Sequence, residues 1–199
     1  MKDKVRNIED QNVIDYLEKA PKWIADNKAF TDWLTEKGFF RTSASTVHHG
    51  AYAGALYKHS DAVREVLEEY TELGLIDWDR PVSPFIIGMY HDLCKIDTYR
   101  EEYDHYIEAD DGTRFPKGDP HFVWDDAGVI IPGHAEKSLI YILQWIPLTS
   151  QEIACIRWHM GAFEKDPKMW EYYGRAIEQD SAVLYTHTAD MVASRVKGI

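Results

Sequence analysis

The segment that governs the architecture of this chain is residues 83–95, Ser-Pro-Phe-Ile-Ile-Gly-Met-Tyr-His-Asp-Leu-Cys-Lys. Pro84 suits the first turn of a helix, and the apolar run after it predicts a helix from about Ser83 to Lys95. The run ends on His91 and Asp92, whose imidazole nitrogen and carboxylate oxygen are ligands that transition metals accept. The segment therefore predicts a helix that carries two adjacent metal ligands.

The rest of the chain is predicted to be mostly helical as well. An amphipathic pattern from Leu56 to Leu73 ends at Gly74, a residue type that favours helix C-termini. Thr149 followed by Glu152 is the signature of a capping box at the start of another helix. The exception is an Asp-Gly turn between two short β-prone segments, which predicts a β-hairpin around 103–116. We therefore predict an all-α helical bundle with a small β-hairpin insertion, forming one structural domain overall.

The composition fits a globular domain with an acidic surface. The chain has 199 residues, of which 45% are hydrophobic, and a formal net charge of -12. This charge argues against a broad basic surface for nucleic acid and favours small anionic substrates. The sequence has no secretory or bilayer-spanning pattern, so we expect no membrane association and a cytoplasmic location. Cys94 and Cys155 form no disulfide framework and are expected to be buried, inert thiols.

Four further residues complete a candidate metal site with His91 and Asp92. They are His59, His134, His159 and Asp190. The histidines lie at or near predicted helix ends, and the aspartate lies late in the last predicted helix. Six such ligands are too many for most single ions but suit a pair bridged by one carboxylate. We therefore predict a centre of one or two divalent ions, for which Mn, Fe, Ni, Mg and Zn are all candidates.

The order of these ligands resembles that of the HD superfamily of helical metal-dependent phosphohydrolases, over about residues 43–195. Gly54-Ala55-Leu56-Tyr57-Lys58-His59-Ser60 is similar to the family's first-histidine segment, and His91-Asp92-Leu93-Cys94-Lys95 to its His-Asp-x-x-Lys signature. The stretch from Ser45 to Tyr52 is similar to one that precedes the first ligand in HD domains of Gram-positive-type 3′–5′ exoribonucleases. The resemblance implies an HD-type metal-binding domain over residues 43–199, with N-terminal helices of residues 1–42 packed on it.

The resemblance also implies an assignment of the ligands. His59, His91, Asp92 and Asp190 would hold the first ion. His134 and His159 would hold the second, with Asp92 bridging the two.

Two further residues are candidates for catalysis beside Asp92. On one continuous α-helix Lys95 would share a face with His91, so it could steady Asp92 or neutralise a phosphoryl charge. Alternatively, Lys95 has only a structural role, as a lysine at a helix end that interacts favourably with the helix dipole. His49, from a predicted loop, could reach the substrate or donate a proton to the leaving group, or be structural.

The sequence alone leaves the roles of three neighbours of the ligands open. Glu136 and Lys137 follow His134 directly and could contact substrate or lie on a solvated helix face. His187 lies three residues before Asp190 on the same predicted helix face, and we expect it at the edge of the core.

We expect a metal-dependent phosphohydrolase that cleaves a phosphoester of a nucleotide or a related small phosphorylated substrate with metal-activated water. The substrate class comes from the resemblance, whereas the charge supports only a small anion. One alternative is a 3′–5′ exonuclease on short single-stranded RNA or DNA, which the acidic charge disfavours. The others are an HD-fold di-iron oxygenase with the same ligands and a non-catalytic nucleotide-binding module, which the complete ligand set disfavours.

Overall fold

The computed structural model describes residues 2–47, 50–125, 127, 129, 131–162 and 166–199. The chain is mostly helical, as predicted, with two small antiparallel sheets. The α-helices are α1 (Lys2–Lys19), α2 (Lys22–Ala25), α3 (Lys28–Glu36), α4 (Ala55–Glu72), α5 (Ser83–Tyr90), α6 (Ala135–Ile142), α7 (Ser150–Trp158), α8 (Pro167–Gln179) and α9 (Ala182–Met191). A 3₁₀-helix (Leu93–Asp97) follows α5, and a π-helix (Val192–Lys197) follows α9. The strands are β1 (Tyr99–Glu102), β2 (His105–Glu108), β3 (Arg114–Lys117) and β4 (His121–Trp124).

The chain divides into two compact units, each formed by two segments. One unit comprises residues 1–58 and 95–130, and the other comprises residues 59–94 and 131–199. The six candidate metal ligands all belong to the second unit. The division at residues 42 and 43 that the resemblance implies stays a prediction.

The first unit has an aromatic core. The rings of Tyr16 and Phe40 pack edge to face with centroids 5.3 Å apart. The rings of Phe39 and Phe40 pack in the same way with centroids 5.1 Å apart. All three rings are fully buried. The buried Asn12 amide donates a hydrogen bond of 2.8 Å to the Phe40 carbonyl, so helix α1 is tied to the chain segment that follows α3.

The predicted β-hairpin is confirmed by the antiparallel pair β2 and β3. At its turn Gly112 has a φ of 79°, and the Asp111 carboxylate accepts a hydrogen bond from the Thr113 amide. A second pair, β1 with β4, lies outside the predicted range. Arg100 and the two glutamates of β1 have low strand propensity, so pairing with β4 rather than local preference stabilises this strand.

The second unit is built around an apolar cluster between α4, α5, α7 and α9. Its buried members include Val63, Val66, Leu67, Ile87, Cys155, Ile156, Ala182, Val183 and Ala189. The predicted amphipathic helix is confirmed as α4, and Gly74 follows it with a φ of 70°. The predicted capping box of Thr149 and Glu152 is confirmed at the start of α7.

The predicted length of the helix that carries His91 and Asp92 is wrong. Helix α5 ends at Tyr90, and the chain continues through His91 and Asp92 into the 3₁₀-helix. The His91 ring binds the Gly88 carbonyl, which is the acceptor that the Asp92 amide would use if the α-helix continued. The prediction that Lys95 shares an α-helical face with His91 is therefore wrong.

Among the described residues, no helix combines the length and the apolar character that crossing a bilayer requires.

Candidate metal centre

Helix α5 brings His91 to the centre because it packs unusually close to α4. A Cβ atom at Gly88 would lie 2.4 Å from the Arg64 Cα atom of α4, so only glycine permits this approach. Every residue of α5 is buried. His91 caps the C-terminus of the helix, and its Nδ1–H donates a hydrogen bond of 2.8 Å to the Gly88 carbonyl.

Helix α7 places His159 in the same way. His159 caps the C-terminus of α7, is fully buried, and donates from Nδ1 to the Ile156 carbonyl at 2.8 Å. The start of α7 is fixed by the fully buried Glu152, whose carboxylate accepts hydrogen bonds from the Arg80 guanidinium and the Ser83 hydroxyl. Because Ser83 is the first residue of α5, Glu152 couples the starts of the two helices whose ends carry the histidines.

These contacts orient both imidazoles toward Asp92. Donation from Nδ1 leaves the Nε2 lone pair of each ring available for a metal ion. His91 Nε2 lies 3.5 Å from one Asp92 carboxylate oxygen, and His159 Nε2 lies 3.4 Å from the other. Asp92 itself is almost completely buried.

His59 and Asp190 form the adjoining part of the cluster. His59, on α4, is buried, and its Nε2 lies 3.1 Å from Asp190 Oδ1 and 3.3 Å from His91 Nε2. Burial alone would raise the pKa of Asp190. The hydrogen bond from His59 and the electrostatic effect of the nearby His91 and His59 imidazoles outweigh burial and lower this pKa. Asp190 is therefore a carboxylate at neutral pH.

His134, just before α6, contacts Oδ1 of Asp92, whereas His59 lies closer to Oδ2. The His134 Nε2 is 2.7 Å from Asp92 Oδ1, and its Nδ1 is 3.2 Å from the Cys94 sulfur. Burial lowers the pKa of His134, but the neighbouring Cys94 and Asp92 raise it to about 9. Cys94 is buried, as expected, but it also contacts a candidate ligand, a contact that no pattern in the sequence predicts.

Among the residues that the structure describes, the donor atoms form three overlapping sets, each compact enough for one metal ion. The sets are His59, His91 and Asp190; His91, Asp92 and His159; and Asp92, Cys94 and His134. Within each set the donor atoms lie within 4.8 Å of one another. These buried groups could hold a metal ion.

Two observations support the fit to a metal. First, ligands with bonds of about 2.1 Å on one tetrahedral ion lie about 3.4 Å apart, close to the separations of 3.1 to 3.5 Å found around His59, His91 and His159. Second, among the described residues the buried His159 Nε2 makes no hydrogen bond. A buried polar atom without a hydrogen bond costs free energy, which a coordinated cation would recover.

A cavity of about 430 Å³ opens beside His134. It is lined by Pro132, Gly133, His134, Ala135, Glu136, Arg157, Met160 and Gly161. Arg157 and Glu136 form an ion pair of 2.7 Å within this lining. A small molecule that enters the cavity would therefore meet both a guanidinium group and a candidate metal ligand.

The remaining predicted residues have mixed outcomes. Lys95 is half-buried in the 3₁₀-helix and belongs to the first unit, so its proposed role stays a prediction. His49 lies outside the described residues. Lys137 is buried, so the prediction that it lies on a solvated helix face is wrong. Glu136 borders the cavity. His187 is half-buried and donates from Nδ1 to the His159 carbonyl at 2.7 Å, so it supports the end of α7.

Comparison of the chain with protein-family models, with curated proteins and with solved structures gives no match.

Proposed function

We propose that this protein is a metal-dependent phosphohydrolase of the HD type that acts on a small phosphorylated substrate, most simply a nucleotide. The observation that carries the proposal is the convergence of four histidines and two aspartates on one buried cluster. Within it Asp92 belongs to two of the three donor sets. The ligand order on which the family resemblance depends thus corresponds to a spatial cluster.

When bound, divalent ions would supply positive charge to a phosphoryl oxygen and lower the pKa of an attacking water. The carboxylates of Asp92 and Asp190 would balance only about half the charge of two such ions, which leaves the centre attractive to an anion. Asp92 stands between His91, His159 and His134, as a bridging carboxylate requires.

The cavity beside His134 provides room for the substrate. Its volume of about 430 Å³ falls within the range of about 300–1,000 Å³ that is usual for small-molecule sites. Arg157 can form bidentate hydrogen bonds to a phosphate, and an incoming phosphate would compete with Glu136 for this guanidinium. His91 and His159, which are held by backbone carbonyls, would keep their positions during this exchange.

The proposal is tested by a substrate screen with metal-replete protein. Nucleoside mono-, di- and triphosphates, cyclic nucleotides and short oligonucleotides are incubated with the protein, and products are separated by chromatography. We expect hydrolysis of at least one mononucleotide, loss of this activity in Asp92→Ala and His159→Ala, and its retention in His121→Ala. His121 is an exposed histidine in β4 and serves as the matched control.

The alternatives predict other results of the same screen. Preferential shortening of oligonucleotides from the 3′ end would indicate an exonuclease. Oxygen consumption by iron-loaded protein, with no phosphoester cleaved, would indicate an oxygenase. Nucleotide binding without turnover under every metal would indicate a binding module. Activity that survives Asp92→Ala would contradict the proposed mechanism.

A further inference from the structure

Cys94 lies against the metal cluster rather than in the apolar core. It is 1% exposed, and its sulfur is 3.2 Å from His134 Nδ1 and 4.0 Å from Nε2. Its backbone amide donates a hydrogen bond of 3.0 Å to the Ser138 hydroxyl of α6, the helix that begins directly after His134. The backbones that carry the thiol and the imidazole are therefore tied together.

The position of the thiol follows from the break in the helix at Tyr90. On a continuous α-helix Asp92 and Cys94 would diverge by about 200°, because successive residues are about 100° apart. Cys94 instead lies in the 3₁₀-helix, and its sulfur joins Asp92 and His134 in one donor set whose atoms lie within 4.8 Å of one another.

The distances within this set suit a single ion. A thiolate and an imidazole bind zinc at about 2.3 and 2.0–2.1 Å, so their donor atoms lie about 3.6 Å apart at a tetrahedral angle. An ion takes only one nitrogen of His134, and Nε2, which lies 2.7 Å from Asp92 Oδ1, is 4.0 Å from the Cys94 sulfur, about 0.4 Å beyond this value. The neighbouring His159 Nε2 belongs to the donor set that shares Asp92 with this one, and it is buried and without a hydrogen bond among the described residues, which independently indicates a cation beside Asp92.

We propose that Cys94 is a metal ligand and that, with Asp92 and His134, it makes the second metal position a thiolate site. The inference rests on the proposed metal centre and adds a ligand and a metal preference to it. The first position would have only nitrogen and oxygen donors, from His59, His91, Asp92 and Asp190.

The two positions would then select different ions. Thiolate ligands favour zinc and other borderline or soft ions, whereas magnesium and manganese favour oxygen donors. The thiolate gives the second ion one anionic ligand besides the shared Asp92, as Asp190 does for the first ion, so two divalent ions would still leave the centre with a net positive charge. We therefore expect zinc or ferrous iron at the Cys94 position even when manganese occupies the other.

Cobalt substitution tests this proposal directly, because a cobalt–thiolate bond gives a sulfur-to-cobalt charge-transfer band in the near ultraviolet. We expect this band in the wild-type protein loaded with Co²⁺, its loss in Cys94→Ser, and its retention in Cys155→Ser. Cys155 is the matched control because it is buried in the apolar core of the same unit, where burial raises its pKa to about 12.

Zinc provides a second measurement on the wild-type chain, which does not depend on the folding of any variant. X-ray absorption of the zinc-loaded protein should show a sulfur neighbour at about 2.3 Å, averaging about one half per zinc ion when both positions hold zinc. Competition with a chelator should show that Cys94→Ser weakens the binding of one zinc ion at least tenfold, since even indirect supporting contacts are worth about 10–100-fold. Binding of the other ion should change little.

The outcomes separate this inference from the proposed function. Wild-type protein that binds two cobalt ions without the charge-transfer band, and zinc with no sulfur neighbour, would overturn the role of Cys94 and leave the phosphohydrolase proposal standing. A band that persists in Cys94→Ser would also overturn it. Protein that binds neither cobalt nor zinc would overturn both proposals.

Discussion

At the scale of single residues, His91 and His159 show how a buried imidazole is aimed by its own backbone. Each ring donates from Nδ1 to a carbonyl three residues earlier, which fixes the tautomer and points Nε2 at Asp92. For His159 the result is a buried nitrogen without a hydrogen bond among the described residues. This arrangement costs free energy in the metal-free protein and is favourable once an ion is bound.

Asp92 and Asp190 should differ in their effect on metal content. Asp92 belongs to two donor sets and Asp190 to one. We expect Asp92→Asn to lose nearly all bound metal and Asp190→Asn to retain about one ion per chain, if two ions occupy the centre. Elemental analysis after gel filtration measures both. Equal metal loss in the two variants would contradict the bridging role of Asp92.

At the scale of helices, the buried Glu152 links the starts of α5 and α7. It completes the capping box with Thr149 and also binds Arg80 and Ser83. A single carboxylate thereby fixes the two helices that end at His91 and His159. The close approach at Gly88 fixes α5 against α4 in the same unit.

Removal of the Glu152 carboxylate should lower the stability of the folded protein. We expect Glu152→Ala to lower the free energy of unfolding by about 2–4 kcal/mol, because it removes a cap and leaves the buried Ser83 hydroxyl and the half-buried Arg80 guanidinium without their acceptor. Thr149→Ala removes only one capping bond and should cost about 1 kcal/mol. Urea denaturation in the presence of a chelator measures both values. A loss in Glu152→Ala no greater than that in Thr149→Ala would contradict the linking role.

Gly88 and Gly174 offer a matched pair of glycines within helices. A Cβ at Gly88 would clash with the Arg64 backbone, whereas one at Gly174 in α8 would meet nothing within 4 Å. We expect Gly88→Ala to destabilise the protein by about 1–3 kcal/mol through overpacking. Gly174→Ala should stabilise it by up to about 1 kcal/mol through helix propensity.

Metal binding by these two glycine variants tests whether the packing at Gly88 positions His91. We expect weaker zinc binding in Gly88→Ala and wild-type binding in Gly174→Ala, measured by chelator competition. Unchanged binding in a folded Gly88→Ala variant would show that the close packing serves stability alone.

At the scale of the whole chain, the candidate ligands lie in one compact unit and the β-strands in the other. An ion that binds the folded state stabilises it by about 2.7 kcal/mol at about 100 times its Kd. For a chain of this size we therefore expect Tm to rise by about 5–10 °C with metal. Calorimetry with and without a chelator measures the shift, and it should be absent in Asp92→Asn.

Amide hydrogen exchange should show which residues the bound metal stabilises. We expect metal to slow amide exchange in residues 59–94 and 131–199, which carry the ligands, with little change in the strands β1 to β4. Slower exchange that is confined to the strands would contradict the assignment of the ligands.

The sequence predicted those features that depend on neighbouring residues. The capping box, the amphipathic α4 and the Asp-Gly hairpin each follow from a local pattern, and the order of the ligands supported the family resemblance. The contact between Cys94 and His134 could not be predicted in this way. It depends on the end of α5 at Tyr90, where an imidazole takes a backbone carbonyl, and on packing against Arg64.

The same limit applies to Glu152 and to β1. Glu152 binds Arg80 and Ser83, which are far from it in sequence. The capping-box pattern therefore could not predict these contacts. The charged β1 has no strand signal of its own and forms because β4 pairs with it.

The dispersal of the candidate ligands along the chain has a consequence for biogenesis. The donors come from α4, the ends of α5 and α7, the segment before α6, and α9, so no short stretch of the emerging polypeptide could chelate an ion well. During synthesis on the ribosome, the position shared by His59, His91 and Asp190 stays incomplete until α9 has emerged and docked. Cofactor acquisition would then be a late maturation step, and newly made protein would pass through a folded apo form whose lifetime depends on the cellular metal supply.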